Sequence, residues 1–141
     1  MTCKEYLAQI RKLKKMIVCH AERLRSMRLE ADSVSSRWGE RFFSGCTDAP
    51  FVRLMERIAA LEERVHWENN LYDTLYEQVT TAVESLPDVD SRLVLLYHYV
   101  DGKSFSEIGN IMQMSKATAI RTEQSACEHF VLPENPIQVF A

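Results

Sequence analysis

The sequence predicts an all-α protein, in which a long N-terminal antiparallel helical hairpin of the coiled-coil type precedes a three-helix C-terminal unit. Glycine and proline each occur only four times in 141 residues, so few positions interrupt helices. Apolar residues recur at alternating steps of three and four over the first 86 residues, which is the period of a coiled-coil seam. After that point, short apolar segments alternate with capping residues and turns.

Two apolar stripes define the hairpin, and each contains one polar member, His20 in the first and Glu68 in the second. Folding the chain back near residue 44 pairs positions whose numbers sum to 88, which places His20 opposite Glu68. A buried His–Glu pair can determine the register of two helices at some cost in stability. The alternative is that both residues lie at a hydrated edge. The stripes comprise Cys3, Tyr6, Ile10, Leu13, Ile17, His20, Leu24, Met27, Ala31 and Val34, and then Phe51, Leu54, Ile58, Leu61, Val65, Glu68, Tyr72, Leu75, Val79, Ala82 and Leu86.

A loop is predicted over about residues 35–50, between the two stripes. This segment holds two of the four glycines and a proline, the residues that most often interrupt helices. Thr47 or Asp48 would cap the second long helix, with Pro50 in its first turn. The hairpin region therefore covers residues 1–86.

Charge favours pairing of the two long helices. Residues 1–41 carry ten lysines and arginines against five acidic residues, and residues 42–85 carry three against eight. Helices of opposite charge attract each other at the positions that flank a seam. A basic helix can also bind nucleic acid, but here an acidic helix follows it directly. The periodicity fits pairing within one chain and pairing between chains, so a homodimer through these helices is an open alternative.

Residues 87–130 are predicted to form a second compact unit of three short helices. The first helix covers residues 88–100 and ends at Asp101-Gly102, since glycine favours the left-handed conformation that often follows a helix. The apolar face of this helix is expected to comprise Val89, Leu93, Leu96, Tyr97 and Val100.

The second and third helices of this unit have the spacing of a helix–turn–helix. Ser104 opens the second helix in the S-x-x-E pattern of a capping box, and the helix extends to about Met112. A turn follows, after which Ser115 caps a third helix that extends to about Phe130. Gly109 lies where another helix could approach closely.

A helix–turn–helix exposes the N-terminal part of its second helix to the major groove of DNA. Arg121 and Gln124 can make bidentate contacts with guanine and adenine, whereas Lys116 suits phosphates. The helix start at Ser104 offers free backbone amides to a phosphate. The predicted DNA-binding residues are Lys103, Ser104, Ser115, Lys116, Ala117, Thr118, Arg121 and Gln124.

The charge balance of this unit opens an alternative function. Residues 86–130 carry four lysines and arginines against six acidic residues, whereas DNA-binding modules normally have a basic surface. Judged from the residue pattern, a DNA-binding module and a plain three-helix interaction domain are about equally supported.

Residues 86–120 resemble region 4 of bacterial sigma factors. The matching elements are Leu86-Pro87, the run Leu95-Leu96-Tyr97-x-Tyr99, Gly102, Ser104, Glu107-Ile108 and Ser115. The chain to about residue 130 also resembles a family of small phage and prophage proteins of low-GC Gram-positive bacteria, whose N-terminal signature is similar to MTCKEYLAQIRKLKKMI. These proteins are grouped with phage late-transcription regulators of the ArpU and RinA type. Arg121 matches an arginine of the relatives, whereas Gly109 stands where alanine is usual.

The resemblance implies a prophage-encoded transcriptional regulator in the cytoplasm of a bacterial host, which binds double-stranded promoter DNA alongside RNA polymerase. A helical adaptor that does not bind DNA is one alternative. A DNA-packaging protein of the small-terminase type is a weaker one, since such proteins usually place the DNA-binding part first. We expect no enzyme, because no Gly-rich phosphate loop or nucleophile elbow is found. We expect no membrane span, which would need an apolar run of about 18 residues.

Cysteines and histidines are scattered along the chain, so we expect free thiols and neither a metal site nor a cofactor. Cys19 and His20 are adjacent, but neighbouring residues project about 100° apart on a helix and form a poor pair of ligands. Residues 131–141 contain two prolines and form a non-helical tail. The apolar residues of this tail, Ile137, Val139 and Phe140, either dock back on the protein or contact a partner.

Overall fold

The protein is mainly helical in the part of the chain that the structure describes. The structure, a computed structural model, describes residues 1–38 and 49–140, and within these ranges it contains no β-strand. The predicted all-α class is therefore confirmed for these residues. The elements are α1 (Cys3–Trp38), α2 (Ala49–Glu84), α3 (Val89–Leu95), a π-helical turn (Leu96–Val100) directly after α3, α4 (Phe105–Met112) and α5 (Lys116–His129).

The first long helix extends into the segment predicted as a loop. α1 includes the first four residues of the predicted loop 35–50, so this prediction is wrong at its start, whereas α2 begins at Ala49, in agreement with the prediction that Pro50 lies in its first turn. The four residues added to α1 contain neither glycine nor proline, and therefore nothing in them ends a helix. Pro50 lies in the first turn of α2, where its missing amide costs no hydrogen bond. The predicted caps Thr47 and Asp48, with the rest of the loop, lie outside the described residues.

The chain forms two compact units, and α1 and α2 each contribute to both. Unit 1 comprises Met1–Lys14 and Leu71–Ala141, and unit 2 comprises Lys15–Asn70. Every member of the two apolar stripes is buried or half-buried, which confirms the period predicted from the sequence. The stripes therefore supply apolar side chains to the cores of both units.

Unit 2 has a small apolar core between its parts of α1 and α2. Leu24 and Ala31 of α1 and Ile58 of α2 are buried there. The neighbouring stripe positions are only half-buried, because two helices without a third layer cannot enclose their seam completely. The half-buried side chains that pack against this core are Met27, Phe51, Leu54 and Leu61.

A fully buried carboxylate lies between α1 and α2 in unit 2. The Oε1 and Oε2 atoms of Glu68 lie 2.8 and 3.0 Å from Nδ1 of His20, and Nε of Arg64 donates to Oε1 at 3.1 Å. The predicted contact between the two polar stripe members is therefore present, and a hydrated edge does not describe Glu68. An exposed ion pair of 2.7 Å joins Arg28 to Glu62. Since residue numbers rise along α1 as they fall along α2, these two segments run antiparallel.

We expect the His20–Glu68 contact to stabilise the protein. His20→Leu leaves the carboxylate of Glu68 with Arg64 as its remaining described partner, so the free energy of unfolding should fall by about 1–3 kcal/mol. A double-mutant cycle with Glu68→Leu, measured by urea unfolding, should give a coupling free energy of about 0.5–3 kcal/mol. Arg28→Ala, which breaks an exposed pair, is the control and should cost less than about 1 kcal/mol. Strictly additive effects of the two leucine changes would contradict the expectation.

Unit 1 has a larger core, to which α1, α2 and the C-terminal helices all contribute. Tyr6 is fully buried, its ring lies 6.1 Å from that of Phe130, and its hydroxyl donates to Oε1 of Gln78 at 2.7 Å. Burial raises the pKa of Tyr6 to about 12, so its hydroxyl keeps the proton that it donates. The other side chains of this unit that are less than 2% exposed include Leu7, Ile10, Leu13, Leu75, Val79, Val83, Val94, Leu95 and Ile108.

Within unit 1, the C-terminal tail docks on α1 and α2 through two glutamine side chains. Gln9 donates to the carbonyl of Ile137 at 2.9 Å and accepts from the amide of Val139 at 2.7 Å. Gln78 accepts from the amide of Ile137 at 3.0 Å and donates to the carbonyl of Asn135 at 2.9 Å. The side-chain amides thus pair with the tail backbone as a neighbouring strand would, which satisfies polar groups that a non-helical segment leaves free. Of the two alternatives predicted for the tail, docking back is the one that the structure shows.

The apolar face predicted for the first C-terminal helix is wrong in part. Val89 and Leu93 are 58% and 37% exposed, whereas Ser91 and Val94 are buried. The middle of this helix is apolar on all sides, so its sequence pattern fits more than one buried face. The π-helical turn at Leu96–Val100 also changes the spacing of the residues within it. The other three predicted members of the face lie in this turn and are buried or half-buried.

Candidate nucleic-acid interface

α4 and α5 are short helices joined by three residues, and a serine caps each of them. Ser104 accepts a hydrogen bond from the amide of Glu107 at 3.2 Å, and Ser115 accepts one from the amide of Thr118 at 3.1 Å. Between the helices, Gln113 adopts a left-handed φ of 55°. The two serine bonds satisfy amides that a helix start leaves free, and both predicted helix starts are confirmed.

A small apolar core holds α4 and α5 against α3. Val94, Ile108 and Ala119 are fully buried in it, one from each of the three helices. This packing occupies one side of α5 and leaves the opposite side exposed. The half-buried side chains that complete the core are Tyr97, Phe105, Met112 and Met114.

Gly109 lets the turn after α4 fold back against the helix. It is buried, and a Cβ atom at this position would lie 2.6 Å from the carbonyl oxygen of Met114, well inside van der Waals contact. The amide of Met114 donates to the carbonyl of Gly109 at 2.9 Å. The close approach predicted here is present, but the nearest neighbour is the connecting turn and not another helix, because the left-handed Gln113 reverses the chain direction.

Gly109→Ala should lower the free energy of unfolding by about 1–3 kcal/mol, because the added methyl group forces the backbone of the turn to move. Intrinsic helix propensity alone favours alanine over glycine by about 0.5–1 kcal/mol, so a loss would be specific to this contact. Asn110→Ala changes the next, exposed position of α4 and should not lower stability. Urea unfolding of the two variants decides the matter, and a gain in stability for Gly109→Ala would contradict the close approach.

The exposed side of α5 carries cationic and polar side chains from its start to Gln124, and one exposed carboxylate, Glu128, in its last turn. Within the described range 49–140, the first turn of α5 has no acidic residue. Glu123, further along the helix, is 4% exposed and faces the core with Ala119 and Ala126, so its charge does not lie on the exposed side. The residues of α5 that were predicted to contact DNA are all exposed, and they are Lys116, Ala117, Thr118, Arg121 and Gln124.

The starts of α4 and α5 differ in charge. Glu107 lies in the first turn of α4, and its Oε1 lies 3.3 Å from the hydroxyl of Ser104. The carboxylate of Glu107 would repel a phosphate bound at the same helix start, which opposes the phosphate site predicted at Ser104. At the start of α5, by contrast, Ser115 and Lys116 are both exposed, and this start is the more favourable one for a phosphate. Lys103, which was predicted as a further contact, is half-buried just before α4.

His98 connects the segment before α4 to α1, a role that no sequence signal indicated. Its Nδ1 donates to the carbonyl of Lys103 at 3.0 Å, and Nη1 of Arg11 donates to its Nε2 at 3.3 Å. The imidazole also stacks on the ring of Phe105, with 4.2 Å between the ring centroids. Burial lowers the pKa of His98, the bond to Lys103 opposes this shift, and the charge of Arg11 adds to it. The neutral imidazole therefore uses both ring nitrogens, Nδ1 as a donor and Nε2 as an acceptor.

His98 should make the protein less stable in mild acid. Because folding lowers its pKa, the unfolded chain binds the proton first as the pH falls below about 6.5. The stability that neutral His98 contributes is therefore fully present above that pH and is lost as the pH falls through the pKa of the folded state. His98→Gln does not titrate, so its free energy of unfolding should fall less between about pH 7.5 and pH 5 than that of the native protein. Equal falls in both proteins would exclude this role.

In residues 1–38 and 49–140, no group of three or more histidines, cysteines and carboxylates could hold a metal ion. Among the helices of these ranges, none is both long and apolar enough to span a membrane. Cys3, Cys19 and Cys127 are free thiols, whereas Cys46 lies outside the described residues.

No protein-family model, curated protein or solved structure matches this chain. A functional proposal therefore rests on the geometry of α4 and α5 and on the sequence resemblance to sigma-factor region 4. Of these two, the geometry is the more direct guide, since the contacts of a binding surface depend on which side chains are exposed together.

Proposed function

We propose that this protein is a transcriptional regulator that binds double-stranded DNA through α4 and α5, acting as a helix–turn–helix. The exposed residues of α5 carry the proposal: Lys116 directly follows the serine cap, and Arg121 and Gln124 lie on the side of the helix away from the buried Ala119. An α-helix fits the major groove of DNA, which is about 12 Å wide. While the exposed side of α5 contacts the groove, its buried side would keep α5 packed on α3 and α4.

Each exposed side chain of α5 suits a different contact with DNA. Arg121 can bind the O6 and N7 atoms of guanine, and Gln124 can bind the N6 and N7 atoms of adenine. Lys116 suits phosphates on the flanking backbone, and Ala117 and Thr118 carry methyl groups that can contact thymine. Sequence preference would therefore depend mainly on Arg121 and Gln124, and general affinity on the start of the helix.

The small basic surface of the C-terminal unit predicts a modest affinity of a single copy for DNA. Residues 86–130 have a net charge of −2, so few counterions are released on binding. A second copy on an adjacent half-site, or RNA polymerase bound beside it, would raise the effective concentration of α5 at the DNA. We therefore propose that the long helices form an antiparallel hairpin that supports dimerisation, and that the protein acts with RNA polymerase at a prophage promoter in the bacterial cytoplasm.

Arg121→Ala should weaken binding to the preferred DNA sequence by about tenfold or more, because a bidentate base contact is lost. Duplexes selected from a randomised library by the native protein serve as the specific probe, and unselected duplexes serve as the non-specific one. Lys116→Ala should weaken binding to both probes and reduce the dependence of log Kd on log salt by about one. Fluorescence anisotropy across a salt series measures both effects.

The matched control is Arg25→Ala, which removes an exposed arginine from α1 in unit 2 and should leave both affinities unchanged. An equal loss of binding in Arg25→Ala would show that positive charge alone explains the affinity. Absence of binding at low salt, both alone and with bacterial RNA polymerase, would overturn the proposal.

A helical adaptor is a second candidate, and one surface of unit 2 favours it. Trp67 is 57% exposed beside a groove whose lining includes Arg23, Arg57 and Arg64. Exposed tryptophan and arginine are the residues most enriched in the energetically important parts of protein interfaces. Under this alternative, α4 and α5 would only support the fold, and Arg121→Ala would change neither DNA binding nor stability.

A further inference from the structure

The groove beside Trp67, here called the Trp67 groove, lies between α1 and α2 in unit 2 and has an apolar floor. Met27 and Leu61 form this floor, where they are half-buried against the small core of the unit. Past Arg57 the groove continues to the half-buried Phe51, because Met27 and Arg57 line both parts. From Phe51 to Trp67, α2 rises by roughly 24 Å, so the groove has room for about four turns of another helix.

Arginines give the Trp67 groove a positive charge. Arg23, Arg57 and Arg64 line it and are exposed, whereas Glu63 is the one exposed acidic residue beside them in the part of the chain that the structure describes. Within residues 1–38 and 49–140, neither Arg23 nor Arg57 forms an ion pair. Arg64 uses its Nε atom to donate to the buried Glu68, which leaves its two Nη atoms for another acceptor. These guanidinium groups can therefore bind an anionic partner.

The other side of the same two helices is electrically balanced. A second groove there is lined by Arg25, Arg28, Asp32 and Glu62, two cationic and two acidic residues. The ion pair of 2.7 Å between Arg28 and Glu62 connects α1 to α2 on that side. An anionic partner would therefore be attracted to the Trp67 groove and not to the second groove, and the second groove provides a matched comparison.

An amphipathic acidic helix fits both the floor and the charge of the Trp67 groove. Two packed helices leave their seam half-buried, and a third helix can cover it by placing one apolar side chain per turn against the floor. Acidic residues beside that apolar stripe would then face the arginines. Opposite charges across an interface favour the correct partner and speed its association.

Two other occupants fit the groove less well. The phosphates of a nucleic acid would also meet the arginines, but they would leave the apolar side chains of Met27 and Leu61 without a partner. A second copy of the chain bound about a two-fold axis would place the same cationic surface on both sides of the interface, so like charges would meet. Dimerisation through another surface of the long helices is compatible with either conclusion.

We propose that the Trp67 groove binds an amphipathic helix of another protein, in which aspartate and glutamate flank an apolar stripe. This inference deepens the adaptor candidate by naming the chemistry of its partner. The groove belongs to unit 2, whereas α4 and α5 belong to unit 1, so the inference does not depend on whether α5 binds DNA. If both surfaces function, one unit binds DNA while the other binds a protein.

The test selects helical peptides against the full-length protein. A displayed library of peptides of about 16 residues, which span the groove as a helix, keeps leucine at steps of three and four and randomises the positions beside this stripe. We expect the selected peptides to contain more aspartate and glutamate at the randomised positions than the unselected library. Selection of no peptide, or of peptides without this excess, would overturn the proposal.

Variants of the full chain then locate the binding site of one selected peptide by fluorescence anisotropy. Arg57→Glu and Trp67→Ala should each raise its Kd by about tenfold or more, because the first reverses an attraction and the second removes an aromatic anchor. Arg25→Glu makes the same charge reversal in the second groove and should leave the Kd nearly unchanged. Circular dichroism checks that each variant is folded. Equal effects of Arg57→Glu and Arg25→Glu would overturn the assignment to the Trp67 groove.

One further comparison separates this proposal from DNA binding by α5. Arg121→Ala should leave the Kd of the selected peptide unchanged, even where it weakens binding to duplex DNA. Each proposal can therefore fail without the other. Weaker binding of duplex DNA by Arg57→Glu, in the absence of any selected peptide, would assign the groove to nucleic acid and overturn the proposed protein partner.

Discussion

The buried carboxylate of Glu68 determines how α1 and α2 pair in unit 2. A carboxylate removed from water must keep its hydrogen bonds, so a register that separates it from His20 would be strongly disfavoured. Apolar side chains alone discriminate less between possible registers of the two helices, because one leucine packs similarly against many neighbours.

The candidate interface depends on backbone contacts more than on charge. The approach of the Met114 carbonyl to Gly109 and the serine caps of both helices determine the direction in which α5 leaves the turn. The net negative charge of the C-terminal unit is compatible with a polar, cationic first half of α5, because Glu123 is buried against Tyr99 and Cys127 and the exposed Glu128 lies in the last turn. The location of the charges therefore matters more for a DNA contact than their sum.

Polar side chains connect distant segments of unit 1, and these connections could not be predicted from the sequence. Gln9 and Gln78 hold the tail, and His98 joins Arg11 to Lys103. Periodicity indicates which residues are buried, but a buried glutamine or histidine can satisfy its hydrogen bonds with many different partners. Their partners come from segments that local sequence patterns do not relate to one another.

The sequence by itself determined the features that depend on local physics. Residue spacing and helix capping are local properties, and four features follow from them. These are the helical class, the two stripes, the serine-capped starts of α4 and α5, and the exposure of residues 116, 121 and 124. The match of His20 with Glu68 was also predictable, because a single polar position in each stripe suffices to align two helices. Only the tertiary structure decided which side of α3 is buried, what approaches Gly109 and where the tail docks. Each of these depends on the shape of surfaces built by residues distant in the chain, and close packing, not periodicity, selects among the possible contacts.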